Sequence, residues 1–292
     1  MDPSLISRCL LRCGLFGSPR LENVMTALSG SEITGRIVEK AKSLGACMAG
    51  VANVEALKQS PSHLIYPKME HNTGVGSRQS EKGIKPGEVA WPTGAKSAVV
   101  IAVEHPEETP ALDWWYGKKS PPGNRILMRI NKDLSTWVEE NFHITTHKLP
   151  YHIEKGGIFL KDAAVLAGLG CIGKSNILVT PEFGPRVRLR ALLLEQEISP
   201  TGPIDFDPCD GCDEPCRQAC PQKAFDEIVY SSAQMGVTDL PGRNGSFSRP
   251  TCNNQMQSDI DAAIEETDPE SGEMEKIIKY CRRCELACPV GQ

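Results

Sequence analysis

The sequence predicts an α+β chain in which a mixed helix–strand domain (residues 31–200) is followed by a cysteine-rich domain (residues 201–292). A short N-terminal extension covers residues 1–30. Three observations carry this. Apolar residues switch between helical and strand periodicity until about residue 200, and then the pattern fades. Eight of the 12 cysteines lie beyond residue 208. The charge is divided as well: residues 1–200 carry a net +4 and residues 201–292 a net −9, within an overall −5.

The elements follow in order. Ser31 opens a helical pattern through Ile33, Ile37, Val38, Ala41 and Leu44, and Gly45 stands where a helix ends. Ala46 to Val51 reads as a buried strand, and Val54 to Gln59 as a short helix. Residues 61–95, rich in Gly, Pro and Ser, read as a long loop. Ala98 to Val103 is an uninterrupted apolar strand. Helical periodicity returns at Asn124–Asn141 and Lys161–Leu169. Strands are expected at Ser175–Val179 and Arg186–Leu194. In the latter, Arg186, Arg188 and Arg190 share one face, either to hold anionic or amide groups or as the solvated face of an edge strand, which is the reading favoured here. Ile198 to Pro208 is a linker, and residues 231–275 form a polar, Gly-rich insertion.

The cysteines carry the clearest chemistry. Cys209, Cys212, Cys216 and Cys220 precede Pro221, and Cys281, Cys284 and Cys288 precede Pro289. Both blocks end C-x3-C-P, a habit of iron–sulfur proteins in which the last cysteine of each block serves the other block's cluster. The first block has one extra residue between Cys212 and Cys216, and the second lacks a leading cysteine, a vacancy that Cys252 fills. The predicted ligand sets are Cys209, Cys212, Cys216 and Cys288 for one 4Fe–4S cluster, and Cys220, Cys252, Cys281 and Cys284 for the other. Paired zinc knuckles are the alternative. Disulfides are disfavoured because C-x2-C spacing favours metal and a chain of this length needs no staples. Cys9, Cys13 and Cys47 read as buried or incidental thiols.

Gly168-x-Gly170-x-x-Gly173-Lys174 matches a dinucleotide fingerprint in letters alone. That fingerprint needs strand, glycines, helix; here a helix precedes and a strand follows. The turn serves either close backbone approach to a large group or simple chain reversal.

The segment KDAAVLAGLGCIGKSNILVTPEFGPRVRLR at 161–190 resembles the AGLGWIGKN segment of epoxyqueuosine reductases. AKSLGACMAGVA at 41–52 and the cysteine layout with its isolated Cys252 resemble that family too, so the likeness runs in order from about residue 30 to 292. The family is related to reductive dehalogenases. The resemblance implies a nitroreductase-like α/β cofactor-binding domain holding base-off cobalamin, joined to a two-cluster ferredoxin-like domain. It implies low-potential electrons passing through two 4Fe–4S clusters to a corrinoid that reduces a small-molecule or protein-bound substrate. It also implies a cofactor lining made by Lys155, Gly156 and Gly157 and by Gly168, Gly170, Cys171, Ile172, Gly173, Lys174 and Asn176. Cys171 stands where the family often has Trp.

Three features depart from that pattern. The family's Gly-Arg-Asp-Tyr-His segment, whose aspartate donates a proton, reads Gly123-Asn124-Arg125-Ile126-Leu127 here. No C-terminal helical repeats follow Cys288, as in a short form of the family. The acidic cysteine domain is a poor partner for a phosphate backbone, so tRNA is not the expected substrate. Tyr151, His152 and Glu154 are the candidate proton donors. Trp114, Trp115 and Tyr116 read as loop anchors, and His63, His71, His105, His143 and His147 as surface residues. FMN is the alternative cofactor, and an electron-transfer protein serving a partner's corrinoid is the alternative function. A ferredoxin- or flavodoxin-type electron donor is implied. No apolar run approaches the roughly 20 residues of a membrane span. The N-terminus makes a poor export signal, so a cytoplasmic setting in an anaerobe is expected.

Overall fold

The computed structural model describes residues 28–69, 80–81, 83–269 and 271–292. Cys9, Cys13 and His71 lie outside them. Helix α1 (Gly30–Ser43) begins with a reciprocal capping box between Ser29 and Glu32 and buries Ile37 and Ala41. Strand β1 (Met48–Asn53) leads into α2 (Val54–Lys58) and α3 (Pro61–Ile65). Then come β2 (Ser97–Glu104), β3 (Trp115–Tyr116), α4 (Pro122–Phe142) and β4 (Thr146–Lys148). Helix α5 (Leu160–Leu166), the hairpin of β5 (Cys171–Ile172) with β6 (Leu178–Val179), and β7 (Val187–Leu194) complete this part. The strand expected over Ser175–Val179 is thus reduced to its last two residues.

Strands β1, β2, β7 and β4 pair in that order, all antiparallel. The sheet is covered on both faces, which explains why β2 is an unbroken apolar run. On one face Ala98, Val100, Ala102 and Leu193 meet Ala163, Ala164, Ala167 and Leu169 of α5 and the turn after it. On the other, Val99, Ile101, Leu192 and Leu194 meet Ile37 of α1 and Leu134 and Val138 of α4.

This order overturns the edge-strand reading of the arginines. β7 is an interior strand, paired along its length with β2 and partly with β4. Arg186 and Arg190 are buried and Arg188 is half-buried. Period-2 alternation places the three on one face, but it does not tell an edge from a centre.

The remaining elements are α6 (Pro215–Gln218), α7 (Ser232–Met235), α8 (Arg249–Asp261), β8 (Ile264–Thr267), β9 (Met274–Ile278) and α9 (Arg283–Leu286). Residues 231–275 are therefore more ordered than their composition implies. α8 lacks an apolar stripe, and only Asn253 of it is buried, so hydrophobic periodicity gives no sign of it. The tryptophan run anchors this part to the rest: Trp115 and Tyr116 pair with Ile278 and Ile277 of β9, and Lys279 lies 4.1 Å from the Trp114 ring centre.

The linker after Ile198 is packed, not free. Thr201 Oγ1 accepts from the Val51 amide at 2.8 Å and donates to the Ala167 carbonyl at 2.6 Å. A Cβ on Gly50 would lie 2.2 Å from that same carbonyl and 2.7 Å from Thr201 Oγ1. Gly50→Ala should therefore force β1 away from α5 and cost about 1–3 kcal/mol, read as a lower urea midpoint at unchanged slope. An unchanged midpoint would show that this junction has slack.

Candidate functional site

The eight clustered cysteines lie in two neighbourhoods. Cys216, carried by α6, is buried, and burial followed by the thiols of Cys288, Cys209 and Cys212 pushes its pKa up. Burial raises Cys288 as well, with Cys209 and Cys212 again beside it. In the second neighbourhood burial pushes Cys284 up to about 12, with Cys281, Cys252 and Cys220 as its thiol neighbours. Cys252, near the start of α8, is raised by burial and by Cys220 and Cys281, and Cys281 by burial and by Cys220. Cys216 is buried and the other seven are half-buried; two such quartets fit two thiolate-bound clusters, since binding iron removes the protons that burial favours on Cys216, Cys288, Cys252, Cys281 and Cys284. Among the described residues no three of His, Cys, Asp and Glu converge tightly enough for a single metal ion.

The extra residue between Cys212 and Cys216 has a structural consequence. Glu214 takes the left-handed conformation at φ 58° and caps α6. Its carboxylate pairs with Lys174 at 2.8 Å and with Arg217 at 3.2 Å. The longer spacing thus turns a carboxylate back onto the glycine turn.

The glycine turn is a joint between the two parts of the chain. Helix α5 precedes it and β5 follows it, as the order of elements requires. Gly168, at φ 75°, packs on Thr201 and Gly202, and Gly170 on the backbone of Val179, so both are filled by protein. A Cβ on Gly173 would stand 3.4 Å from Cys209 Sγ, which brings the turn against the first quartet. Arg217 Nε donates to the Lys174 carbonyl at 3.1 Å, and Arg243 Nε to the Ile172 carbonyl at 2.8 Å. Arg243 also reaches Asp207 at 2.8 Å and Cys171 Sγ at 3.5 Å. Cys171 is half-buried, and burial pushes it up to about 11. The Gly242 amide donates to Asn176 Oδ1 at 3.2 Å. Sequence reasoning missed Arg217 and Arg243; their one signal is that they are basic in an acidic segment.

Beside this joint lies a cavity of about 790 Å³, in the range of cofactor sites. Ile172 and Asn176 of the turn line it, with Phe159, Lys161, Asp162 and Arg243. Lys161 Nζ donates to the Asn176 carbonyl, and burial pulls the ammonium down to about 8. Asp162 is buried; its Oδ1 accepts from the Ser62 amide at 2.9 Å, while Oδ2 has no partner. That orphaned acceptor fits a group rich in amide or ring N–H donors, which describes the rim of a corrin and the edge of a flavin alike. Gly156, Gly157 and Lys155 are not part of this lining.

His63 and His105 are buried, correcting their expected surface placement. The Phe159 amide donates to His63 Nε2 at 3.4 Å, so Nδ1 carries the proton and faces Ser60 Oγ at 2.8 Å. Ser60 is therefore not activated by this histidine. His143 is exposed, and His147 is half-buried at 3.0 Å from Glu195.

Of the expected proton donors, Tyr151 is exposed and His152 and Glu154 are half-buried, on the loop after β4. Tyr151 and His152 stack edge to face at 5.4 Å, whereas Glu154 lies towards Tyr66. The structure adds a buried ionic network alongside. Arg188 holds Asp113 and Glu285, each at 2.9 Å, and Arg282 holds the same two carboxylates. His105 Nδ1 meets Asp113 at 2.7 Å. Asp113 stays below its usual range: burial opposes ionisation, but His105, Arg188 and Arg282 outweigh it. Arg186 donates to the carbonyls of Cys288 and Val290.

No family model matches the chain. Among curated proteins, the tetrachloroethene reductive dehalogenase of Sulfurospirillum multivorans is 34% identical over 128 residues, covering 43% of this chain and 22% of that protein. The epoxyqueuosine reductase of Bacillus cereus is 25% identical over 206 residues, 65% of this chain and 51% of that protein. The Bacillus subtilis enzyme is 23% identical over 231 residues, 73% and 57%. The chain thus spans about half the length of these epoxyqueuosine reductases and about a fifth of the dehalogenase. Among solved structures, an epoxyqueuosine reductase bound to an epoxyqueuosine-modified tRNA-Tyr stem loop aligns with a TM-score of 0.58 and 18% identity, covering 90% of this chain and 66% of that one. A catabolic reductive dehalogenase in complex with 3-bromo-4-hydroxybenzoic acid gives 0.56 and 18%, covering 88% and 31%. Epoxyqueuosine reductases and reductive dehalogenases, both oxidoreductases, are therefore homologues of this chain, and the fold is theirs.

His63, which meets the cavity-lining residues Ser60 and Phe159 from behind, carries a pH signature. Burial lowers His63 to about 4, against the opposing pull of Asp162. The unfolded chain takes up this proton near pH 6.5 and the folded chain only near 4, so stability is lost as pH falls through that window. His63→Gln should flatten the loss between pH 6.5 and 4 by up to about 3 kcal/mol, measured from urea midpoints at each pH. Parallel pH curves for the two proteins would disprove this.

Proposed function

We propose that the chain is an iron–sulfur oxidoreductase that passes low-potential electrons through two 4Fe–4S clusters to a corrinoid bound beside the glycine turn. The division of the cysteines into two neighbourhoods of four, one of them against that turn, is the observation that carries the reading. Cys209, Cys212, Cys216 and Cys288 would hold one cluster and Cys220, Cys252, Cys281 and Cys284 the other. The first would be nearer the cofactor, because Cys209 faces Gly173, and Arg243 joins Cys171 to the cavity. Bound corrinoid supplies a strongly reducing metal centre. The chain itself supplies the Asp162 acceptor, the Lys161 cation and the wall formed by Ile172 and Asn176. Tyr151, which acts on both Arg188 and Arg190, and His152, which stacks on it, would serve as proton donors to a reduced substrate. The substrate is a small molecule or a protein-bound corrinoid, since the acidic cysteine segment disfavours tRNA. Among the described residues no helix is long and apolar enough to cross a membrane.

One observation favours a second reading, an electron-transfer or activating protein. A Cβ on Gly123 would lie 2.2 Å from the His105 ring, and Arg125 donates to the Ser120 carbonyl. The segment that bears an acid in epoxyqueuosine reductases is here packed shut, with no acid among residues 123–127.

Two experiments test the proposal. Cys216→Ala and Cys281→Ala should each lose about half the bound iron after anaerobic reconstitution, as expected for separate four-thiolate sites, while Cys47→Ala loses none. Equal losses in all three would refute the ligand sets. The reconstituted protein should also retain cob(II)alamin and convert its spectrum to a base-off form. Retention of FMN instead would replace the corrinoid by a flavin, and retention of neither would leave the electron-transfer reading.

A further inference from the structure

Arg190 differs from the other two arginines of its row. Arg186 is satisfied by the carbonyls of Cys288 and Val290. Arg188 and Arg282, two cations, are balanced by Asp113 and Glu285, two carboxylates. Arg190 lies mid-strand in β7, opposite Ile101 and on the face that carries Leu192 and Leu194. It is 8% exposed, and its Nη1 is buried with no hydrogen-bond partner. Among the described residues no carboxylate neutralises it; the one titratable side chain acting on it is Tyr151, and burial pulls the guanidinium below its ordinary value. Tyr151 lies three residues after β4, which pairs with Leu192–Leu194 just beyond Arg190, and is 56% exposed.

We propose that Arg190 and Tyr151 form a binding site for an organic carboxylate. The charge count favours a monoanion. The network around Arg188 is already neutral, so Arg190 is a single surplus positive charge, and a dianionic phosphate would leave an uncompensated negative charge in a water-poor place. The planar guanidinium matches a planar carboxylate bidentately. The Tyr151 hydroxyl offers a further donor and its ring an apolar wall, which selects a carboxylate on an apolar body. Neither residue lines the cavity beside the glycine turn, so this site holds whichever cofactor the chain binds. An unpaired buried cation lowers stability and is kept where a ligand completes it.

The test uses the anaerobically purified full chain, with benzoate as the probe and its neutral isostere benzamide as the control, read as the unfolding temperature. Benzoate should raise that temperature saturably in the millimolar range, and benzamide should leave it unchanged. Arg190→Met should unfold at a higher temperature than the parent without ligand, and should not respond to benzoate. Tyr151→Phe should keep the ligand-free temperature but need several-fold more benzoate. The proposal is overturned if Arg190→Met lowers the unfolding temperature or fails to fold, since Arg190 is then structural. It is equally overturned if the benzoate response survives in Arg190→Met, matches that of benzamide, or is absent from the parent.

Discussion

The buried ionic network of Arg188, Arg282, Asp113 and Glu285 is the constraint on which the rest of the molecule depends. It joins β7, the loop before β3, and the helix that carries Cys284. Charges buried this deeply are tolerable only when each is matched and hydrogen-bonded, so the four groups stand or fall together. Arg282 adjoins Cys281, and Glu285 adjoins Cys284. Registration of the ion network therefore also registers two thiols of the second quartet against the sheet, and Arg186 does the same for Cys288 through its carbonyl.

A second seam runs along the glycine turn. There the fit is steric as well as electrostatic. Gly170 and Gly173 let the Val179 carbonyl and side chain approach closer than a Cβ would allow, Gly168 takes a left-handed φ against Gly202, and Glu214, Arg217 and Arg243 tie the turn from the other side. The turn resembled a cofactor cradle in the sequence. In the structure only Ile172 and Asn176 of it face the cavity, while the glycines join the two parts of the chain. Electron delivery and cofactor binding would meet at this seam, so its rigidity has a functional value that a simple chain reversal lacks.

Much of this was legible in the residue order. The strand Ala98–Val103, the helix ending before Gly45 and the helix–glycine–strand order at 160–179 appear close to where periodicity and turn chemistry put them. The two C-x3-C-P blocks were readable because ligand spacing is a local, chemically strict pattern, whereas the neighbourhood of Cys288 with Cys209 and Cys216 joins distant blocks. Other features left no local trace. α8 has no apolar stripe, and its start is fixed by the Ser248 cap. His63 looks like any scattered histidine until Phe159, 96 residues away, is brought to it, and the nearby Ser60 and Asp113 become partners of His63 and His105 only once the chain folds.

The arginine row marks the division most clearly. The sequence by itself determined that Arg186, Arg188 and Arg190 share a face, because side chains alternate along a strand, and that eight thiols fall into a two-cluster spacing, because ligation is set by short-range geometry. Only the tertiary structure decided that β7 is an interior strand, that Arg188 is neutralised by Asp113 and Glu285, and that Arg190 has no counter-charge among the described residues. The reason is physical. Alternation and spacing are local properties of the backbone, whereas the cost of a buried charge depends on which distant residues the folded chain brings within a few ångströms of it.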